Sequence, residues 1–206
     1  MINLVFMKKK KIIIIGKAAS GKDFLQKQLV ERGWVPLKQY TTRPIRPTED
    51  GSEYHFVSDE EFDSISNNLM SVQSFNGWKY GFDINEALNS DVMIFNPANF
   101  FSINFSSDIR CRDLYQNSII VYLDIDEDIR RERLSKRYIG GKEDDSLERR
   151  LQADKKDFEY FDNIDRIYLD ENEDEWVWYE NEDEFVRLRN EKDVDSFLNF
   201  LDLYVC

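Results

Sequence analysis

Hydrophobic positions along the 206-residue chain fall into short unbroken runs, separated by stretches with a helical period. Residues 12–15 are four isoleucines, and residues 92–95 and 119–123 are as uniformly apolar. A half-exposed strand alternates apolar and polar positions, so runs without alternation predict strands buried on both faces. Between them the period changes. Phe24, Leu25 and Leu29 fall on one helical stripe that Gly33 can end. Ser58 and Glu61 form a capping-box pair ahead of Phe62, Ile65 and Leu69. Asp126 can cap a helix bearing Ile129, Arg130, Arg133, Leu134 and Arg137, and Ser146 one bearing Leu147, Arg150 and Leu151. Val194, Phe197, Leu198, Leu201 and Leu203 give a final core-facing helix. Fully apolar strands alternating with helices predict an α/β domain, a parallel sheet with helices on both sides.

Residues 170–186 break the pattern. Nine are acidic and none is basic, yet Trp176, Val177, Trp178, Tyr179, Phe185 and Val186 lie among them. Aromatic residues are strong strand formers, so this segment is expected to form a β-hairpin on the domain edge; an interaction segment is the other reading.

Composition narrows the functional classes. A net charge of −13 argues against general binding to nucleic acid or to an anionic membrane. No apolar stretch approaches membrane-spanning length, and the N-terminal apolar run is too short for a signal peptide. Cys111 and Cys206 have no metal-ligand spacing and suggest a reducing compartment, hence a cytoplasmic location, and His55 is the single histidine.

The candidate chemistry begins where the first strand ends. Residues 16–23 read Gly-Lys-Ala-Ala-Ser-Gly-Lys-Asp, a phosphate-binding loop in its proper context between a strand and a helix. Gly16, Lys17, Ala18, Ala19, Ser20 and Gly21 would supply backbone N–H groups, Lys22 would reach the outer phosphates of a nucleoside triphosphate, and the helix dipole aims at the same anion. Asp23 stands where Ser or Thr ordinarily ligates magnesium, and its carboxylate is the candidate ligand for Mg2+. Arg43 and Arg46 lie three apart in Thr-Thr-Arg-Pro-Ile-Arg-Pro (41–47), where Pro44 and Pro47 stiffen the backbone that aims them. Tyr54 and Tyr80 can each donate a hydroxyl to a phosphate oxygen. Arg133 and Arg137 sit one helical turn apart. Arg130, Arg131 and Arg149 read as surface residues paired with nearby carboxylates, and His55 as a packed strand residue.

Thr-Thr-Arg-Pro-x-Arg-Pro, then Asp-Gly-x-x-Tyr-His-Phe-Val-Ser (50–58), Trp-Lys-Tyr-Gly (78–81), the arginine-bearing helix and Ser-Leu-Glu-Arg-Arg-Leu (146–151) together resemble the guanylate kinase family, from about residue 10 to residue 170. The resemblance implies a P-loop NTPase three-layer fold. A core (8–36 and 92–206) would carry an inserted monophosphate-binding lobe (37–91), a short lid (134–149) and an acidic aromatic insertion (about 171–190). It also implies ATP as phosphoryl donor, Mg2+, and a nucleoside monophosphate as acceptor, GMP or dGMP by default. Arg43, Arg46, Tyr54 and Tyr80 would hold the acceptor phosphate, and Lys22, Arg133, Arg137 and Arg150 would surround the group in transfer. The base pocket departs from the family, with Ser71 where a glutamate is expected, Phe82 for a serine, Asn96 for an aspartate at a strand end, and Gln39 for a serine. An altered base preference follows, because neutral groups cannot reproduce a carboxylate facing the guanine N–H donors. The alternatives are a kinase for another phosphorylated small molecule of the ribose 1,5-bisphosphate type, or a non-catalytic binding module.

Overall fold

Strand β1 (Lys11–Gly16) is the centre of the molecule, paired in parallel with β6 (Val92–Ile94) on one side and β7 (Ser118–Leu123) on the other. The structure is a computed structural model and describes residues 10–45, 49–75, 77–137, 147–162 and 184–204. The four isoleucines divide between two layers, as strand geometry requires. Ile12 and Ile14 pack with Leu25 and Leu29 of α1 (Lys22–Glu31) and with Val194, Phe197 and Leu201 of α9 (Glu191–Tyr204). Ile13 and Ile15 face Phe100 and Ile103 of α4 (Pro97–Asn104), Leu114 of α5 (Ile109–Gln116) and Phe161 of α8 (Glu159–Asp162). All four isoleucines are 0% exposed, and each such burial contributes about 1.5–3 kcal/mol relative to exposure.

The expectation for residues 170–186 is corrected at its end. Glu184–Leu188 form β8, which completes the sheet in the order β6-β1-β7-β8 and pairs in parallel with β7. Phe185 and Val186 are therefore core residues on opposite faces of the sheet, not one arm of a peripheral hairpin, and the core resumes within the segment expected to be an insertion. The remainder of that segment lies outside the described residues.

A second sheet is built from the chain between α1 and β6, in the order β3-β2-β5-β4. It comprises β2 (Gln39–Thr41), β3 (Tyr54–Phe56), β4 (Leu69–Phe75) and β5 (Trp78–Asp83). The expected capping box is present: Ser58 and Glu61 satisfy each other's backbone N–H at the start of α2 (Asp59–Ile65). Asp83 caps α3 (Ile84–Asn89), which returns the chain to the core. Asp126 likewise accepts from the Asp128 N–H at the start of α6 (Glu127–Arg137), and α7 (Leu147–Asp157) packs beside it. Ser146 lies outside the described residues.

Phe82 is a second correction. Its ring is 0% exposed and packs 5.0 Å from that of Phe95 beneath the second sheet, so it cannot face a ligand base. The first residue after Tyr80-Gly81 joins the lobe to the core instead. Phe82→Ala should therefore destabilise the fold by about 3–5 kcal/mol, read as a lower urea midpoint at unchanged slope. A variant of wild-type stability would place this side chain outside the core.

Candidate active site

The end of β1 forces a tight turn. A β-carbon on Gly16 would stand 2.5 Å from the Ser20 hydroxyl oxygen and 3.0 Å from Leu123 Cβ, which only glycine avoids. Gly21, at φ 102°, occupies the left-handed region as the N-cap of α1 and brings no side-chain cap to the helix. The first turn of α1 thus has backbone N–H groups that the helix itself cannot satisfy, the usual setting for an anion. Lys22 folds back across the loop and donates to the carbonyls of Gly16 (2.6 Å) and Lys17 (3.0 Å). Asp23, one residue on, is exposed in the same first turn.

Polar contacts from the far helices hold this loop. The Asp154 carboxylate of α7 accepts the Ala18 N–H (3.0 Å) and pairs with Arg130 of α6 (2.9 Å). Arg130 also donates to the carbonyls of Ile125 (3.1 Å) and Ala18 (3.4 Å). It is 3% exposed, so the surface role expected for it is corrected: this guanidinium is a buried strut behind the phosphate loop. Its place on the face of Leu134, four residues on, was the available signal; Arg131 does sit at the surface with Glu127 and Glu148. Burial pushes the Asp154 carboxyl above the ordinary carboxylate range, against the pull of the Ala18 N–H and the Arg130 charge. Lys17 is tied to Asp162 at the end of α8 (2.7 Å), and Asp162 also accepts the Tyr122 hydroxyl (2.6 Å). The polypeptide after α6 therefore returns to the loop at two points that the spacing of the motif does not reveal.

Arg133 reaches the same loop, donating to the Ala19 carbonyl (3.3 Å), with Glu191 at 3.6 Å. Arg137 ends α6 and Arg150 lies in α7, but their side chains, like that of Arg149, lie outside the described residues, as does Arg46.

On the second sheet, Arg43 is 4% exposed and forms a two-pronged pair with Glu49 (2.8 and 3.0 Å). Its guanidinium lies 5.4 Å from the ring centres of both Tyr54 and Phe56. Burial works against the Arg43 charge and Glu49 more than offsets it, so the group stays cationic. The Tyr54 and Tyr80 rings meet edge to face at 6.4 Å. This assembles one cation and two phenols on one patch. Ser71 has a left-handed backbone (φ 52°) at an irregularity between Met70 and Gln73 in the β4–β5 ladder. Asn96 caps α4, accepting the Asn99 N–H (2.7 Å). On the opposite face, Tyr40 donates to Glu86 (2.8 Å), and His55 meets the same carboxylate at 3.1 Å. Burial, then Glu86, pushes the Tyr40 hydroxyl up to about 12, so it remains a donor at neutral pH.

A parallel sheet whose central strand runs into a phosphate loop, with a second sheet bearing an arginine–tyrosine patch, defines the class: a phosphate-loop α/β protein with the fold of the nucleotide kinases. The chain belongs to the guanylate kinase family, whose model matches residues 8–178. It is 39% identical over 79 residues to the guanylate kinase of Thermobifida fusca, a match spanning 35% of this chain and 40% of that protein's length. To the guanylate kinase of Chlorobium luteolum it is 24% identical over 169 residues, 78% of this chain and 83% of that one. The crystal structure of guanylate kinase from Anaplasma phagocytophilum shares the fold at a TM-score of 0.57 and 15% identity, over 96% of this chain and 87% of that one.

The strut behind the loop is separable from the loop itself. Removing one member leaves the other charged and buried, so Asp154→Ala should cost about 3–5 kcal/mol in urea unfolding. Replacing both, as Arg130→Met with Asp154→Leu, should recover most of that loss. A double variant no more stable than Asp154→Ala would show that the pair is not acting as a unit.

Proposed function

We propose that this chain transfers the γ-phosphoryl group of ATP to the 5′-phosphate of a nucleoside monophosphate, with Mg2+. The observation that carries the reading is that one fold presents both the loop with Lys22 and the patch with Arg43, Tyr54 and Tyr80. Phosphoryl transfer asks little covalent chemistry of a protein; it asks for in-line placement and for cations around the charge of the transition state. In this reading Lys22 leaves the Gly16 and Lys17 carbonyls for the outer phosphates of ATP. The loop from Gly16 through Asp23 holds the triphosphate with the backbone N–H groups that Asp154 and the Lys17 carbonyl do not take. Arg43 and Arg46, with Tyr54 and Tyr80, hold the acceptor phosphate, and Arg133, Arg137 and Arg150 close over the group in transfer. Ser71 and Asn96 border the base.

Asp23 offers a hard oxygen donor at the helix start beside Lys22, a donor type that suits Mg2+ when triphosphate oxygens complete its shell. The metal would neutralise charge on the triphosphate; Asp23 would hold it. The protein is expected to work in the cytoplasm. Among the described residues no helix is long and apolar enough to cross a membrane.

A coupled assay with ATP and Mg2+ against the common ribo- and deoxyribonucleoside monophosphates tests the reading, and no turnover with any of them, in protein that binds ATP, would sink it. Lys22→Ala should lower kcat by about 10²–10³-fold. Arg43→Lys should raise the acceptor KM about tenfold or more and leave the ATP Kd within about twofold, because a point charge cannot replace the planar fork. Equal loss of ATP affinity would move Arg43 to the donor side. Asp23→Asn should raise the Mg2+ concentration needed for half-maximal turnover, and an unchanged requirement would remove Asp23 as a ligand.

A further inference from the structure

Two successive peptide groups in the phosphate loop point opposite ways, and side chains hold both. In a planar trans peptide the C=O and the following N–H project to opposite sides, and none of the described peptides is cis. The Lys17 carbonyl faces Lys22, 3.0 Å from its Nζ, so the Ala18 N–H faces away from Lys22 and meets Asp154 Oδ2 at 3.0 Å. The next peptide is reversed. Arg130 Nη1 approaches the Ala18 carbonyl from behind the loop (3.4 Å), which turns the Ala19 N–H to the side of Lys22. Among the described residues no group accepts the Ala19 N–H, whereas the Ser20 N–H is taken by the Lys17 carbonyl (3.2 Å).

This reversal is held against the preference of the backbone. Ala19 has φ 59°, in the left-handed region that residues other than glycine rarely occupy. Such a conformation persists where the surroundings over-determine it. Arg130 is itself fixed by the Ile125 carbonyl (3.1 Å) and by Asp154 (2.9 Å), and the same Asp154 oxygen serves the guanidinium and the Ala18 N–H. Arg133 donates to the Ala19 carbonyl (3.3 Å), and Ala19 packs with Leu134 of α6 and Leu151 of α7. Rotation of the Ala18–Ala19 peptide would put a carbonyl where the N–H now stands. An anion beside Lys22 would then meet an acceptor instead of a donor.

We propose that Arg130 and Asp154 are positioning residues for the nucleotide: gripping Ala18 by both its polar groups, they keep the Ala19 N–H turned to the triphosphate. The role rests on the reading of this loop as the ATP site. The pair acts through one peptide group and does not itself touch the nucleotide. Its charges are opposite, so replacing both members leaves the net charge behind the loop unchanged.

The test uses the full chain as wild type and as the double variant Arg130→Met with Asp154→Leu, with urea unfolding to confirm that the variant is folded. Calorimetry reads the ATP affinity with Mg2+, and NMR of protein labelled isotopically at its alanines reads the Ala18 and Ala19 amides. In the wild type the Ala19 amide proton should move downfield as ATP binds, while the Ala18 amide keeps its protection against exchange. The folded double variant should bind ATP about tenfold or more weakly, the scale of one hydrogen bond to a charged group, and lose the Ala19 response. A role in stability alone would leave both readings as in the wild type. An Ala19 amide that does not respond to ATP in the wild type overturns the proposal without any variant. So does a folded double variant whose ATP Kd stays within about twofold. The expected responses without transfer to any monophosphate would uphold the positioning role while the kinase reading fails, and no ATP binding by the wild type would remove both.

Discussion

A phosphate loop can hold an anion only with N–H groups that it has not spent on holding itself, so such a loop needs support from its surroundings. Lys22 ties it from within, and most of the other contacts come from outside. Below it, β1 is locked between β6 and β7 and delivers Gly16 against Leu123 with no room for a side chain. Behind it, Asp154 and Arg130 take the N–H and the carbonyl of Ala18, and Asp162 takes Lys17. The three contacts come from α6, α7 and α8, so these helices are mechanically joined to the loop. The buried pair resists replacement of one partner, because a lone charge left out of water is expensive.

The second sheet is stiffened differently. Its sheet is short, with β2 and β3 only three residues each, and it contributes little core of its own. It borrows rigidity from the main domain through Phe82 against Phe95, through Gln39 donating to the Ile94 carbonyl (2.8 Å), and through Asn96 reaching Gln73. Arg43 is held cationic by Glu49 and lies against two aromatic faces. An arginine pre-positioned in this way loses little rotamer freedom when an anion arrives.

Local signals carried far along this chain. The unbroken apolar runs at 12–15, 92–95 and 119–123 are strands because only a doubly covered parallel sheet can bury every position. The Ser58–Glu61 box and the Asp126 cap are local hydrogen-bond chemistry and formed where the spacing said they would. The motif at 16–23 needs only a strand before it and a helix after it, and both are present. These features depend on neighbours within a few residues, so a single sequence is sufficient to read them.

What depended on distant partners was decided by the tertiary structure. Arg130 has the composition of a surface residue and becomes buried because Asp154, 24 residues away, meets it behind the loop. Phe82 stands next to a site motif yet belongs to the core, because β5 turns inward there and Phe95 covers it. Residues 184–188 follow an acidic stretch but pair with β7, since a parallel partner brings no local turn signal. The face that Gln73 takes was not legible either, because a bulge shifts the two-residue alternation and only the register with β5 places it beside Tyr80. The sequence by itself determined the glycine-rich loop at 16–23, the family and the strands that carry them, all matters of local pattern. The surroundings of each functional side chain were left to the fold, because burial and pairing are properties of residues far apart in the chain.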